Sequence, residues 1–175
     1  MKPQTPAQQE TGAGLEAREL LQLARENLAL LTGLAGHYEP ARLGPTTERH
    51  AIRSPADVAA YLGPEMADLA QEQLRALLLN TRHEVLATQL VYQGGANAIN
   101  IRLADCFREA VRLGAVALIL VHNHPSGWSD PSPEDSALST QARSVGDLLG
   151  IAVLDHVILG HRDGYTSLRE RGLFS

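Results

Sequence analysis

Two histidines separated by one residue, His122 and His124, close an apolar run that begins at Val116, and Asp135 follows after ten intervening residues. Side chains two apart on a strand share a face, so both imidazoles can turn toward one point if strand geometry holds to the end of the run. Neutral imidazole and carboxylate are ligands that suit zinc, and three of them leave a fourth position to water. Zinc brings the pKa of such a water to about 7, which is the arrangement of a hydrolase rather than of a closed structural site. Ser132, three residues before Asp135, offers a hydroxyl that can donate to charge developing on a substrate carbonyl.

The spacing from Ser132 to Asp135 also has a purely local meaning. Serine caps a helix, proline suits the first helical position, and an early acid favours the positive helix end. The chain carries its own control at Ser54-Pro55-Ala56-Asp57, where no His-x-His pair precedes the cap. Ser-Pro-x-Asp alone is therefore uninformative about chemistry. The signal is the conjunction of the two histidines, the ten-residue gap and the aspartate.

The elements that must position these residues are legible in outline. The segment 115–121 is almost wholly apolar and reads as a central strand. A Pro- and Gly-rich loop leads to a helix that begins at Ser132 and ends at Gly150. Residues 151–159 read as a strand and 165–168 as a last short one. Upstream, a helix starts at Ser54, residues 66–73 read as further helix, and 74–79 and 85–92 form a hairpin around Asn80-Thr81-Arg82-His83. Gly94-Gly95 breaks the chain, and 103–113 is helical up to Gly114. Residues 1–14 are expected to be a disordered tail and 15–53 a helix with linker, leaving 54–175 as the catalytic domain. The element order predicts an α/β (α+β) fold, a mixed β-sheet packed between helices.

Composition narrows the function classes. The chain has 175 residues, 44% hydrophobic, with a net charge of -5. That balance argues against an extensive nucleic-acid surface, which needs clustered Lys and Arg. Cys106 is the single cysteine, which removes disulfide frameworks and cysteine-built zinc sites; on a helix it reads as inert. The polar N-terminus lacks an apolar signal core, and no run reaches membrane-spanning length, so a cytoplasmic setting without membrane contact is expected.

The motif HNHPSG followed by PSPED resembles the JAMM (MPN+/JAB) metallopeptidases, in particular their RadC-like branch. SPADVAAYL from Ser54, EQLRALLLNTRHEVL from Glu72, GGAN from Gly94, FREAV from Phe107, LLGIAVLDHVILG from Leu148 and GYTSLRERG from Gly164 agree, so the resemblance covers about residues 50–174. It implies a cytidine-deaminase-like fold, one Zn2+ per chain, and peptidase or isopeptidase chemistry. A protein or peptide substrate is implied, with ubiquitin-like modifier conjugates as one class. By the same resemblance His122, His124 and Asp135 are the metal ligands, Ser132 stabilises the tetrahedral intermediate, and Glu72, placed before the first strand, holds and deprotonates the water. Glu84 is the competing acid, in the hairpin turn. Leu103-Ala104-Asp105 stands where relatives commonly carry Pro-Arg-Glu, and no helix-hairpin-helix module is visible.

Several alternatives compete with this reading. The contiguous His122-Asn123-His124 does not reproduce the His, Asn and His that HNH nucleases spread over a ββα element. A zinc deaminase needs Pro-Cys-x-x-Cys, which one cysteine cannot supply. His83-Glu84 lacks the second histidine of a helical zincin. A DNA-repair-associated RadC-like role, as metal-dependent nuclease or non-catalytic accessory, is the alternative function. Trp128 either lines a groove or anchors the loop. His156 either orients a ligand or is a hydrogen-bonded core residue. Asn123, facing away from its neighbours, is expected to bond loop backbone, and His37, His50 and His161 to be solvated. Oligomeric state, a homodimer included, stays open.

Overall fold

The computed structural model describes residues 50–94 and 101–174. The tail and helix expected over residues 1–34, His37, and the linker up to residue 49 lie outside the described residues. The described elements are α1 (Pro55–Met66), β1 (Glu72–Leu79), β2 (Val85–Gly94), α2 (Leu103–Leu113), β3 (Ala117–Asn123), α3 (Pro133–Leu149), β4 (Ala152–Gly160) and β5 (Gly164–Ser167).

These strands form one five-stranded sheet in the order β2-β1-β3-β4-β5. Only β3 and β4 run parallel, joined through α3, and every other neighbour pair is antiparallel. The mixed α/β class expected from the element order is the one observed. Every residue of β3 is buried, because helices cover both faces of the sheet, and such strands read as unbroken apolar runs.

The two faces hold separate cores. Val58, Leu62 and Met66 of α1 pack with Leu77, Leu79, Ile119, Val121, Val157 and Leu159 on one face. Cys106, Phe107 and Ala110 of α2 and Ala142 of α3 pack with Leu74, Ala76, Leu78, Leu118 and Leu120 on the other. Alternation along β3 then assigns His122 to the α2/α3 face and Asn123 to the α1 face. Cys106 is buried and its thiol is pushed up to about 12 by burial, with the nearby Asp105 adding to the shift, which makes it inert as expected.

Two expectations need correction. Residues 66–73 are not a continued helix: α1 ends at Met66 and β1 begins at Glu72. Glu72 therefore does not precede the first strand but is its first residue. Long-range pairing overrides local helix propensity here. Glu72 pairs with Gly94, and the Gln73 N–H donates to Asn123 Oδ1 at 2.9 Å. The central strand also extends through His122 and Asn123 rather than ending at residue 121.

One irregularity matters for the site. Leu118 pairs with Val153 but Ile119 pairs with Asp155, so Leu154 is an extra, unpaired residue in β4. Such a bulge inverts the side-chain phase of everything after it. Val153 belongs to the α2/α3 core; without the bulge His156 would face α1. With it, His156 falls on the same side as His122.

Candidate metal centre

The carboxyl end of β3 and the amino end of α3 meet on the α2/α3 face. His122 and His124 reach the junction from the strand, as the His-x-His spacing requires. His124 lies just beyond the last residue of β3, but its N–H still donates to the Leu159 carbonyl at 3.1 Å, so the strand's course holds through the second histidine. The Nε2 atoms of His122 and His124 are 2.9 Å apart. Asp135 Oδ1 lies 3.3 Å from His122 Nε2, and Asp135 Oδ2 lies 3.7 Å from His124 Nε2. Among the described residues these three side chains form a group with one ligand atom each, all within 4.8 Å of one another. Two imidazole nitrogens and a carboxylate oxygen converging in a largely buried setting fit zinc by donor type and number.

The aspartate is aimed by the helix cap. Asp135 Oδ2 accepts from the Ser132 N–H and the Ser132 hydroxyl, each at 2.7 Å, while the Asp135 N–H donates back to Ser132 Oγ at 3.1 Å. This is a complete capping box. It anchors one carboxylate oxygen and leaves Oδ1 turned to His122. The Ser132 hydroxyl proton is committed to Asp135, so donation to an oxyanion requires it to turn away from that partner.

Each histidine is also held from behind. His124 Nδ1 lies 2.9 Å from the Trp128 carbonyl oxygen, so Nδ1 carries hydrogen and donates. His122 Nδ1 lies 2.8 Å from Nε2 of the fully buried His156, whose Nδ1 lies 2.6 Å from Ser139 Oγ. His156 is thus a fully buried, hydrogen-bonded residue, and one of its two partners is His122. Ser139 was not foreseen from the sequence. The signal was available: it sits one turn after Asp135, on the buried stripe of α3 with Ala142 and Gly146.

Glu72 reaches the site along β1. Leu74 pairs with His122, and the same register carried two residues further sets Glu72 across from His124. Asn123, on the opposite face, holds this segment. Besides accepting from Gln73, its amide donates to the carbonyls of Leu69 at 3.3 Å and Gln71 at 3.2 Å. Asn123 bonds backbone as expected, but that of residues 69–73, the segment that carries Glu72, rather than that of the loop after the histidines. Glu84 stays in the hairpin turn, accepting from the Asn80 amide at 2.8 Å.

Protonation follows these contacts. Burial, seconded by His156 and His124, depresses His122 well below its ordinary value. The Asp135 carboxylate, assisted by the Trp128 carbonyl, raises His124 against the effect of burial. Burial would raise Asp135, but His124, His122 and the two Ser132 bonds outweigh it and hold the carboxyl well below the usual range. Burial raises Glu72, Asp135 adds to this, and His124 opposes it. The site thus sets a carboxyl held low, Asp135, beside one that is raised, Glu72.

The loop between the ligands is seated on the β4–β5 turn. Buried Ser129 bonds Thr166 Oγ1 at 2.9 Å, and its N–H donates to the Asp163 carboxylate at 3.0 Å. The Arg162 N–H donates to the Gly127 carbonyl at 3.0 Å. Gly127 has φ +85, and a Cβ there would meet His161 at 2.3 Å; a Cβ on Gly160 would meet the Gly127 carbonyl oxygen at 2.5 Å. Only glycine fits either position. Trp128 is 52% exposed and lies under the Arg162 guanidinium, 5.7 Å from the ring centre. Ser129, not Trp128, is the loop's buried anchor, and the Trp128 ring stays exposed. His50 and His161 are exposed.

Comparison with known proteins agrees with this geometry. A family model described as "RadC-like JAB domain" matches residues 52–173. The chain is 53% identical over 126 residues to a UPF0758 protein of Chloroflexus aggregans, covering 72% of this chain and 55% of that protein. It is 48% identical over 126 residues to a UPF0758 protein of Roseiflexus castenholzii, covering 72% and 54%. A UPF0758 protein of Halalkalibacterium halodurans is 44% identical over 125 residues, covering 71% and 53%. The chain spans about half the length of the curated relatives it matches. No helix among the described residues is long and apolar enough to cross a membrane.

Proposed function

The chain belongs to the RadC-like JAB domain family, and from that premise we propose that it is a zinc-dependent hydrolase of peptide or isopeptide bonds, with ubiquitin-like modifier conjugates as a substrate class and the cytoplasm as its setting. The observation that carries the reading is the convergence of His122, His124 and Asp135 within 4.8 Å, with Glu72 brought alongside by the β1–β3 register. His122 and His124, through the Nε2 atoms that face Asp135, and the Asp135 carboxylate would hold the ion. When bound, zinc supplies Lewis acidity, lowering the pKa of a coordinated water to about 7 and polarising a carbonyl.

The chain's own groups do the rest. Glu72, its affinity for protons raised by burial, takes a proton from the attacking water and returns it to the leaving nitrogen. This general-base and general-acid work is worth about 10²–10⁴ in rate. Ser132 keeps the Asp135 carboxylate ionised and aimed, and turns its hydroxyl to the oxyanion as charge develops. Trp128 and Arg162 form the outer wall against which the substrate chain lies.

The test is metal content and turnover on the full chain. We expect one zinc per chain, cleavage of a peptide or isopeptide-linked panel, and loss of metal in a His122→Ala, His124→Ala double variant. Zinc-loaded protein that cleaves plasmid DNA, and leaves the peptide panel intact, would replace this reading with the nuclease one.

A further inference from the structure

The contacts behind His122 admit a single arrangement of protons. Ser139 Oγ lies 2.6 Å from the Asp135 carbonyl oxygen. That oxygen has no proton, so the hydroxyl must donate to it. Ser139 Oγ also lies 2.6 Å from His156 Nδ1. Its one proton is already committed, so it accepts here and His156 Nδ1 carries the hydrogen. His156 and His122 are 0% and 2% exposed, and such burial favours neutral imidazole. A neutral His156 then shows a lone pair at Nε2. His122 Nδ1, 2.8 Å away, must donate to it. The lone pair of His122 is left at Nε2, facing His124 and Asp135.

We propose that Ser139 and His156 are positioning residues, whose hydrogen-bond chain locks His122 in the Nδ1–H tautomer that offers Nε2 to the metal. The chain closes on itself: it starts at the backbone of one ligand, Asp135, and ends on the ring of another, His122. It ties the helix that supplies the carboxylate to the strand that supplies the imidazole. The bulge at Leu154 is part of the device, since it alone puts His156 on this face. His124 reaches the same tautomer by a simpler route, through the Trp128 carbonyl. Orientation of a ligand histidine through its second nitrogen typically changes metal affinity about 10–100-fold.

This inference rests on the zinc reading, and the test separates the two. Long-range ¹⁵N–¹H correlation on the chelator-treated full chain reports each ring's tautomer without metal, and competition with a chromophoric chelator reports zinc affinity. In wild type we expect hydrogen at Nδ1 of both His122 and His156. Ser139→Ala removes one small buried hydroxyl; it is expected to mix the His122 tautomers and to weaken zinc about 10–100-fold. His156→Gln, whose amide oxygen can accept from His122 Nδ1, is expected to bind within a few-fold of wild type, and His156→Leu is not. Hydrogen at Nε2 of His122 in the wild type, or an unchanged tautomer and affinity in Ser139→Ala, would overturn the proposal even if zinc binds. The expected tautomers in a wild type that takes no zinc would support the chain and overturn the metal reading alone. If His156→Leu does not fold, Ser139→Ala still decides.

Discussion

The two Ser-Pro-x-Asp helix starts are built alike and do different things. At the α1 start, Asp57 Oδ2 accepts from the Ser54 N–H at 2.9 Å and the Ser54 hydroxyl at 3.1 Å, and the Asp57 N–H donates to Ser54 Oγ at 3.3 Å. At the α3 start the same three bonds join Ser132 and Asp135. The difference lies outside the caps. Asp57 is partly exposed, and its carboxyl is lowered first by the Arg53 backbone N–H. Asp135 is half-buried against two imidazoles. A cap that stabilises a helix also orients a carboxylate, and what stands opposite decides whether that carboxylate can serve as a ligand.

The largest effect expected from that contrast is on metal. Asp135→Ala should abolish turnover and weaken zinc more than about 100-fold, beyond the usual cost of losing an orienting contact. Asp57→Ala should leave zinc binding unchanged and lower stability only modestly, through loss of its half of the capping box. Calorimetric zinc titration of both variants compares them directly, and equal zinc loss in the two would break the contrast.

Next in size is Glu72. Glu72→Gln should slow cleavage by about 10²–10⁴ while zinc stays bound. Retained metal with full activity would remove Glu72 from the chemistry.

Acid should reach the α3 end before the α1 end. Burial holds His156 down to about 4 and His122 well below its ordinary value. Below about pH 6.5 the unfolded chain takes up protons on these rings that the folded chain refuses, so the folded state loses stability as pH falls. The His156 contribution is complete above about 6.5 and lost by about 4, on the order of 3 kcal/mol. The lowered Asp135 carboxyl adds a further loss as pH drops below its unfolded value near 3.9. Urea unfolding of chelated protein from pH 7 to 4 measures this. His156→Gln should flatten the slope; an unchanged slope would mean that the buried ring is not its source.

The smallest effect separates the two serines. Ser54→Ala and Ser132→Ala should each cost about 1 kcal/mol, but only Ser132→Ala should also weaken zinc, about 10-fold, because Ser132 anchors Oδ2 of the Asp135 carboxylate and so aims its Oδ1. Identical zinc affinity in the two would show that Asp135 aims itself.

What could be read from the sequence was whatever is local in the fold. His122, His124 and Asp135 lie on one strand end and one helix start, so regular geometry carries their spacing into space. Ser54 and Ser132 declare their helices by composition. What escaped depends on pairing between distant segments. Residues 66–73 have helix-forming composition, yet β2, β3 and the Asn123 amide draw them into a turn and a strand. The face taken by His156 follows from one unpaired residue, Leu154, which no periodicity announces. Ser139 looks like an ordinary helical serine until β4 sets an imidazole against it.

The close approach of Gly127 and Gly160 has a consequence for how this site can change. Neither position can take a side chain, so the seat of the loop is not open to adjustment. Trp128 projects from that seat with the Arg162 guanidinium over its ring, while Arg162 N–H donates to the Gly127 carbonyl and the Asp163 carboxylate accepts from the Ser129 N–H. The hairpin tip, remote in sequence from His122, His124 and Asp135, is thereby a tuning screw. Substitutions at residues 161–163 would reshape the seat of this loop while those three side chains stay where β3 and α3 put them.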